Sequence, residues 1–213
     1  MLVSVANAAG GPPGPDGGRA GPDPWYYLAN FQIMIDTLER RDGDLLVPEE
    51  RGFIEEFARL PVDARALLVR MVMRKGDLFR ASRLRYPEIA DWESAAASLI
   101  ARGWVDDRPL LCADELFSLF TKDQVVVYLG LSPRRARQPK AAVLSEVRDA
   151  VPERRTVLQW GAIPETVLRL EVAPLCERLR LMFFGNFRQT LKEFVLSDLG
   201  IFRYEEVPLN LDS

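Results

Sequence analysis

No histidine occurs among the 213 residues. Its absence removes imidazole acid–base catalysis, Ser–His and Cys–His nucleophiles, and every zinc site built with histidine. Cysteine is almost as scarce. Cys112 and Cys176 stand far apart and cannot complete a four-ligand zinc site, so they are expected as reduced thiols filling small apolar spaces. No apolar run approaches a membrane span, and residues 1–24 lack both the basic start and the apolar stretch of a secretion signal. A soluble, cytoplasmic protein without membrane contact is therefore expected. Lysine is rare too, four of 28 basic residues, which a GC-rich genome explains as readily as selection for phosphate contacts. What is present suffices for a sizeable core: 48% of the residues are apolar.

The net charge of −3 conceals a segregation. Residues 36–59 carry eight acids against four arginines, so −4. Residues 63–86 carry Arg65, Arg70, Arg74, Lys75, Arg80, Arg83 and Arg85 against Asp63 and Asp77, so +5. Residues 132–155 carry Arg134, Arg135, Arg137, Lys140, Arg148, Arg154 and Arg155 against Glu146, Asp149 and Glu153, so +4. Two basic blocks in an acidic chain suggest local contacts with an anionic partner.

Along the chain, residues 1–24 are Gly/Pro-rich and read as a disordered tail. Residues 25–60 form an N-terminal helical segment: Tyr27, Phe31, Met34 and Leu38 recur near helical spacing, and Pro48-Glu49-Glu50 opens a second helix. Residues 61–111 follow the order of a winged-helix-like unit. A helix with Asp63 as its expected N-cap comes first, then a short strand at 78–81, then a helix over 92–102 capped by Asp91, then a two-stranded wing at 104–111. Residues 112–151 read as helix, Gly130-Leu131 turn, basic loop and helix. Residues 152–213 form a linker and the first helices of a further helical region, near 174–184 and 187–199. The fold class expected is mainly α.

Three stretches together resemble the bacterial branch of the Fanconi-associated nuclease family, the VRR-NUC family. The first is Tyr26-Tyr27-Leu28-Ala29-Asn30-Phe31 with Asp44-Leu45-Leu46 and Glu49-Glu50. The second, more specific, is Ala66-Leu67-Leu68-Val69-Arg70-Met71-Val72-Met73-Arg74-Lys75-Gly76-Asp77-Leu78-Phe79-Arg80. The third runs from Leu119-Phe120-Thr121-Lys122 through Leu129-Gly130-Leu131 to Lys140 and looks like a SAP module, a DNA-binding helix-turn-helix. The resemblance implies a larger parent in which helical repeats and a C-terminal VRR-NUC domain follow a region like this one. Such a parent cuts 5′-flapped or branched DNA with Mg or Mn held by carboxylates. Interstrand crosslink repair and a nucleoid-associated location in a bacterium are further implications of the resemblance. The family's acid-x-Lys element is not found in this chain: Met73, Phe120, Gln138 and Thr190 stand two positions before the four lysines. No catalytic residue, metal ligand or cofactor is therefore expected in this segment.

The candidate contacts are the two basic blocks. Arg134, Arg135, Arg137 and Lys140 precede and begin a helix, whose free backbone N–H groups would add to the side-chain cations in holding phosphate oxygens. Arg70, Arg74, Lys75, Arg80, Arg83 and Arg85 would make a second contact to duplex beside a branch. The plainer reading of the first block is a solvated charged loop, and of the second an ion-pair network with the acids of residues 49–56. The partners expected are branched or 5′-flap DNA and the parent's own C-terminal domains, with homodimer formation left open. The alternative function is a helical interaction scaffold that docks an acidic partner or the nuclease domain.

Overall fold

The computed structural model describes residues 24–185. The Gly/Pro-rich tail up to residue 23 and the helix expected over 187–199 lie outside the described residues. Helix α1 (Tyr26–Asp42) buries one face completely: Tyr27, Phe31, Met34, Ile35 and Leu38 have no exposure. That stripe follows the i, i+3, i+4 spacing that places residues on one side of a helix. Helix α2 (Pro48–Arg59) starts on a proline, whose missing N–H costs nothing in the first turn, and the Glu50 carboxylate accepts from the Val47 amide at 3.0 Å. Phe57 of α2 meets Phe31 with ring centroids 5.2 Å apart, and Phe53 meets Trp104 at 4.7 Å.

Helix α3 (Val62–Val72) departs from expectation at its start. Pro61, not Asp63, holds the N-cap position, and Asp63 lies in the first turn. The Asp63 carboxylate instead accepts the Asp91 amide at 2.9 Å, tying α3 to the start of α4 (Trp92–Ile100). Asp91 caps α4 as its sequence suggests, accepting from the Ser94 amide at 3.0 Å.

The short strand is present as β1 (Leu78–Arg80), but the wing is not a hairpin. Strand β2 (Val105–Asp106) finds its partner far downstream in β3 (Val167–Leu170), which lies antiparallel between β1 and β2. Leu111, the expected end of the wing, forms a bridge to Arg155 instead. Residues 107–109 therefore leave the sheet; their polar, Pro-terminated run (Asp107-Arg108-Pro109) offers no second strand to pair.

A second core begins after β2. Helices α5 (Ala113–Leu119), α6 (Lys122–Tyr128), α7 (Lys140–Ala150) and α8 (Val157–Trp160) pack Leu116, Phe117, Val125, Val143 and Trp160 together. Thr121 and Gln124 cap α6 reciprocally, and Gly130 turns the chain at φ 61°, a conformation side-chain-bearing residues rarely adopt. The basic loop is a 3-10 turn, Pro133–Arg137. Trp160 is fixed by an indole N–H donated to the Leu111 carbonyl at 2.9 Å.

Strand β3 is the wall shared by the two cores. Val167 belongs to the second core, whereas Leu168 and Leu170 belong to the first, as alternation along a strand requires. Helix α9 (Ala173–Phe184) then returns to the first core through Cys176 and Leu179. Both cysteines are free thiols; Cys176 is buried and its pKa is pushed up to about 12 by that burial, while Cys112 is only half-buried at the N-cap of α5. Among the described residues no helix is long and apolar enough to cross a membrane.

Candidate nucleic-acid interface

Where the two cores meet, a groove of about 1570 Å³ opens between the end of α3, the β1 corner, α6 and the start of α7. It draws Arg70, Arg74, Lys75, Arg80 and Arg83 from one basic block and Lys140 from the other. Arg85 and the turn residues Arg134, Arg135 and Arg137 do not line it. The ten candidate cations are thus regrouped: Lys140 joins the earlier block and parts from its neighbours in sequence.

Three cations of the earlier block are neutralised. Arg70 is paired with Glu88 and stacked between Tyr27 and Tyr86, its guanidinium 3.9 and 4.8 Å from the ring centroids. Burial works to raise the Glu88 pKa, but the Arg70 hydrogen bond and charge prevail and hold it below the ordinary value. Arg80 donates to Glu165 at 2.9 Å and lies 5.0 Å from the Phe120 ring. Burial likewise opposes ionisation of Glu165, and donation from Ser82 and Arg80 outweighs it, so its pKa too is lowered. Arg85 pairs with Glu93 at 2.7 Å and stacks on Trp92. None of these partners comes from residues 49–56; there Glu50 meets Arg178 and Glu56 meets Arg102.

Arg74, Lys75, Arg83 and Lys140, which also line the groove, have no carboxylate partner among the described residues. Arg74 donates to the Arg83 carbonyl at 2.7 Å and reaches the Tyr86 hydroxyl at 3.4 Å. Lys75 and Arg83 are exposed, and no ion pair involves them among the described residues. Lys140 donates to the Phe117 carbonyl at 2.7 Å, near the C-terminal end of α5, where helix carbonyls favour a cation. Glu177 also lines the groove, but it is paired with Arg180 at 2.8 Å. A carboxylate held by a neighbouring guanidinium contributes little net field.

The Pro133–Arg137 turn is a separate surface. Arg135 is paired with Glu146, and Arg134 and Arg137 are exposed with no ion pair among the described residues. Lys122, quoted above only within the SAP-like stretch, holds the turn in place by donating to the carbonyls of Ala136 and Gln138, the latter at 3.0 Å. The remaining cations of residues 132–155 are committed: Arg148 to Asp114, Arg154 to Glu115, Arg155 to Glu153.

Glu88 and Glu165 are the functional neighbours that composition did not reveal. Each follows a proline outside any helix, in Pro87-Glu88 and Pro164-Glu165, a faint signal for a carboxylate aimed by a rigid turn. Among the described residues no three acidic or cysteine side chains gather to hold an ion.

Comparison with known proteins places this architecture. Residues 25–106 match the family described as FAN1, HTH domain. The Fanconi-associated nuclease 1 homolog of Pseudomonas aeruginosa is 47% identical over 193 residues, covering 90% of this chain and 34% of the relative. The homolog of Arabidopsis thaliana is 28% identical, covering 84% of this chain and 21% of its own. A crystal structure of paFAN1 bound to 2-nucleotide 5′-flap DNA with a gap superposes with a TM-score of 0.78 at 46% identity, covering 88% of this chain and 35% of that one. A second, with a 1-nucleotide flap, gives 0.78 at 47% identity, covering 86% of this chain and 34% of that one. The chain spans about a third or less of the length of these relatives.

Proposed function

Since the chain belongs to the Fanconi-associated nuclease family, matching its N-terminal region, we propose that it binds branched DNA and orients it for cleavage elsewhere in a longer protein. The observation that carries this reading is the groove. It gathers Arg74, Lys75, Arg83 and Lys140, none with a carboxylate partner among the described residues, from two parts of a chain whose net charge is −3. Four cations along one groove of an acidic protein, unpaired with carboxylates among the described residues, concentrate positive potential there, and phosphate oxygens are the fitting counter-charge.

Phosphate contacts of this kind position a duplex without reading its bases. Selectivity on this account comes from the shape of a junction rather than from base sequence. The module of residues 112–151 acts as a SAP-like element by lending Lys140 to the groove and presenting Arg134 and Arg137 on its own turn. The parent activity is hydrolysis of 5′-flapped DNA by a divalent-metal nuclease domain, with interstrand crosslinks among its substrates. This chain's part in it is binding alone. The competing reading, a scaffold for an acidic protein, draws on the same cations.

The experiment measures affinity for 5′-flap, nicked and plain duplex DNA at two salt concentrations, for the chain and for its Arg74→Ala/Arg83→Ala/Lys140→Ala variant. Tighter binding to flap than to duplex, weakened in the variant, is the expected result. No binding below high micromolar concentrations would favour the scaffold.

A further inference from the structure

A carboxylate stands beneath the cation-lined wall, where charge alone would make it a liability. We infer that Glu165 is a positioning residue for this groove: it holds the β1 corner from which Arg83 projects and to which Arg74 is tied. The inference rests on the groove being the DNA-binding surface.

Glu165 reaches the corner from the segment just before β3, and its side chain is only 8% exposed. It accepts from the Arg80 Nε at 2.9 Å, from the Ser82 amide at 3.1 Å, and from the Ser82 hydroxyl. A backbone bond reinforces these, the Ala81 amide donating to the Thr166 carbonyl at 2.9 Å. The residues so held form the 3-10 turn Ala81–Arg83. Its last residue, Arg83, both carries a groove cation and offers the carbonyl that accepts Arg74 at 2.7 Å. One carboxylate therefore fixes the backbone beneath two uncompensated cations, while Arg80 cancels its charge. Arg80 in turn lies over Phe120 of the second core, so the same carboxylate helps align the two walls.

Electrostatics and positioning predict opposite signs, which makes the inference testable. Glu165→Gln removes one negative charge near bound DNA, and long-range attraction alone would tighten binding. A positioning role predicts the reverse, a loss of roughly fivefold, about what one ordinary hydrogen bond is worth. Ser82→Ala changes no charge and should weaken binding in the same direction by less. Each variant's thermal unfolding is recorded, and binding is measured well below its transition, so that a shortage of folded protein cannot mimic the effect.

Arg83→Ala is measured in parallel, alone and combined with Glu165→Gln. The expected result is weaker binding for each single variant and a smaller cost of Arg83→Ala once Glu165 is gone. If Arg83→Ala leaves affinity unchanged, the groove reading is overturned and this inference falls with it. If Arg83→Ala weakens binding while Glu165→Gln tightens it or leaves it alone, the positioning role alone is overturned. Full additivity of the two substitutions would overturn it as well.

Discussion

Between Arg70 and Arg85, three of six cations are locked, against Glu88 and Glu93 from the segment just downstream and against Glu165 from far along the chain. Between Arg134 and Lys140 only Arg135 is locked among the described residues, against Glu146, and the block is instead held through backbone carbonyls taken by Lys122 and Lys140. The first block is stiffened by ion pairs that consume half its charge. The second keeps most of its charge and is stiffened from beneath. Charge density along a sequence is therefore a poor guide to available charge; what counts is which cations the fold leaves without a carboxylate. By that measure the groove draws three cations from the first block and one from the second.

The largest effect expected on binding comes from removing all four. Arg74→Ala/Lys75→Ala/Arg83→Ala/Lys140→Ala should cost on the order of 100-fold in affinity for flap DNA at physiological salt, while the thermal transition moves little. A titration of labelled DNA beside a melting curve checks both. Arg70→Ala sharpens the contrast from the other side. It leaves Glu88 half-buried without its cation and strips a stacked group from Tyr27, so stability should fall by about 2 kcal/mol with affinity nearly unchanged. Denaturant unfolding reads the first quantity, and a drop in affinity without a drop in stability would move Arg70 among the contacts.

Smaller changes are expected at the second block's turn. Arg134→Ala/Arg137→Ala should weaken binding a few-fold and lower the salt slope by about 1 to 2, since each phosphate contact contributes about 0.9. An unchanged slope would make the turn a solvated surface. Lys122→Met should loosen that turn, seen as faster tryptic cleavage after Arg134, Arg135 or Arg137 in the folded protein. The smallest effect is on pH dependence. Glu88 and Glu165 have pKa values held below the ordinary 4.5, so the stability they contribute is present above about pH 4.5 and is lost as pH falls through their lowered folded values. Glu88→Gln should flatten the acid limb of a plot of stability against pH; an equally steep limb would show that Arg70 does not hold the Glu88 carboxylate ionised.

Much of this architecture was legible in the chain before any coordinate. Helices α1, α2, α4 and α9 were readable because their apolar stripes and end signals, such as Pro48 and Asp91, are local. Strand β3 was not. Val167-Leu168-Arg169-Leu170 is short and covered on both faces, so no alternation of apolar and polar residues marks it. The wing failed for the same reason: the partner of Val105 and Asp106 lies more than sixty residues away, beyond any hairpin rule. At the site, the identity of the basic residues was legible but their state was not. Arg70 meets Glu88 across 18 residues and Arg80 meets Glu165 across 85, and pairing over such spans belongs to the fold.

The most direct test pits available charge against total charge, using two variants that each lose two cations. Lys75→Ala/Arg83→Ala removes uncompensated groove cations; Arg85→Ala/Arg135→Ala removes cations already paired with Glu93 and Glu146. The dependence of log affinity for flap DNA on log salt is measured for both. The groove pair should lower the slope by about 1.8, two phosphate contacts' worth, and the paired cations should leave it unchanged. Equal loss of slope in both variants would mean that DNA responds only to net charge, and the groove would no longer account for binding.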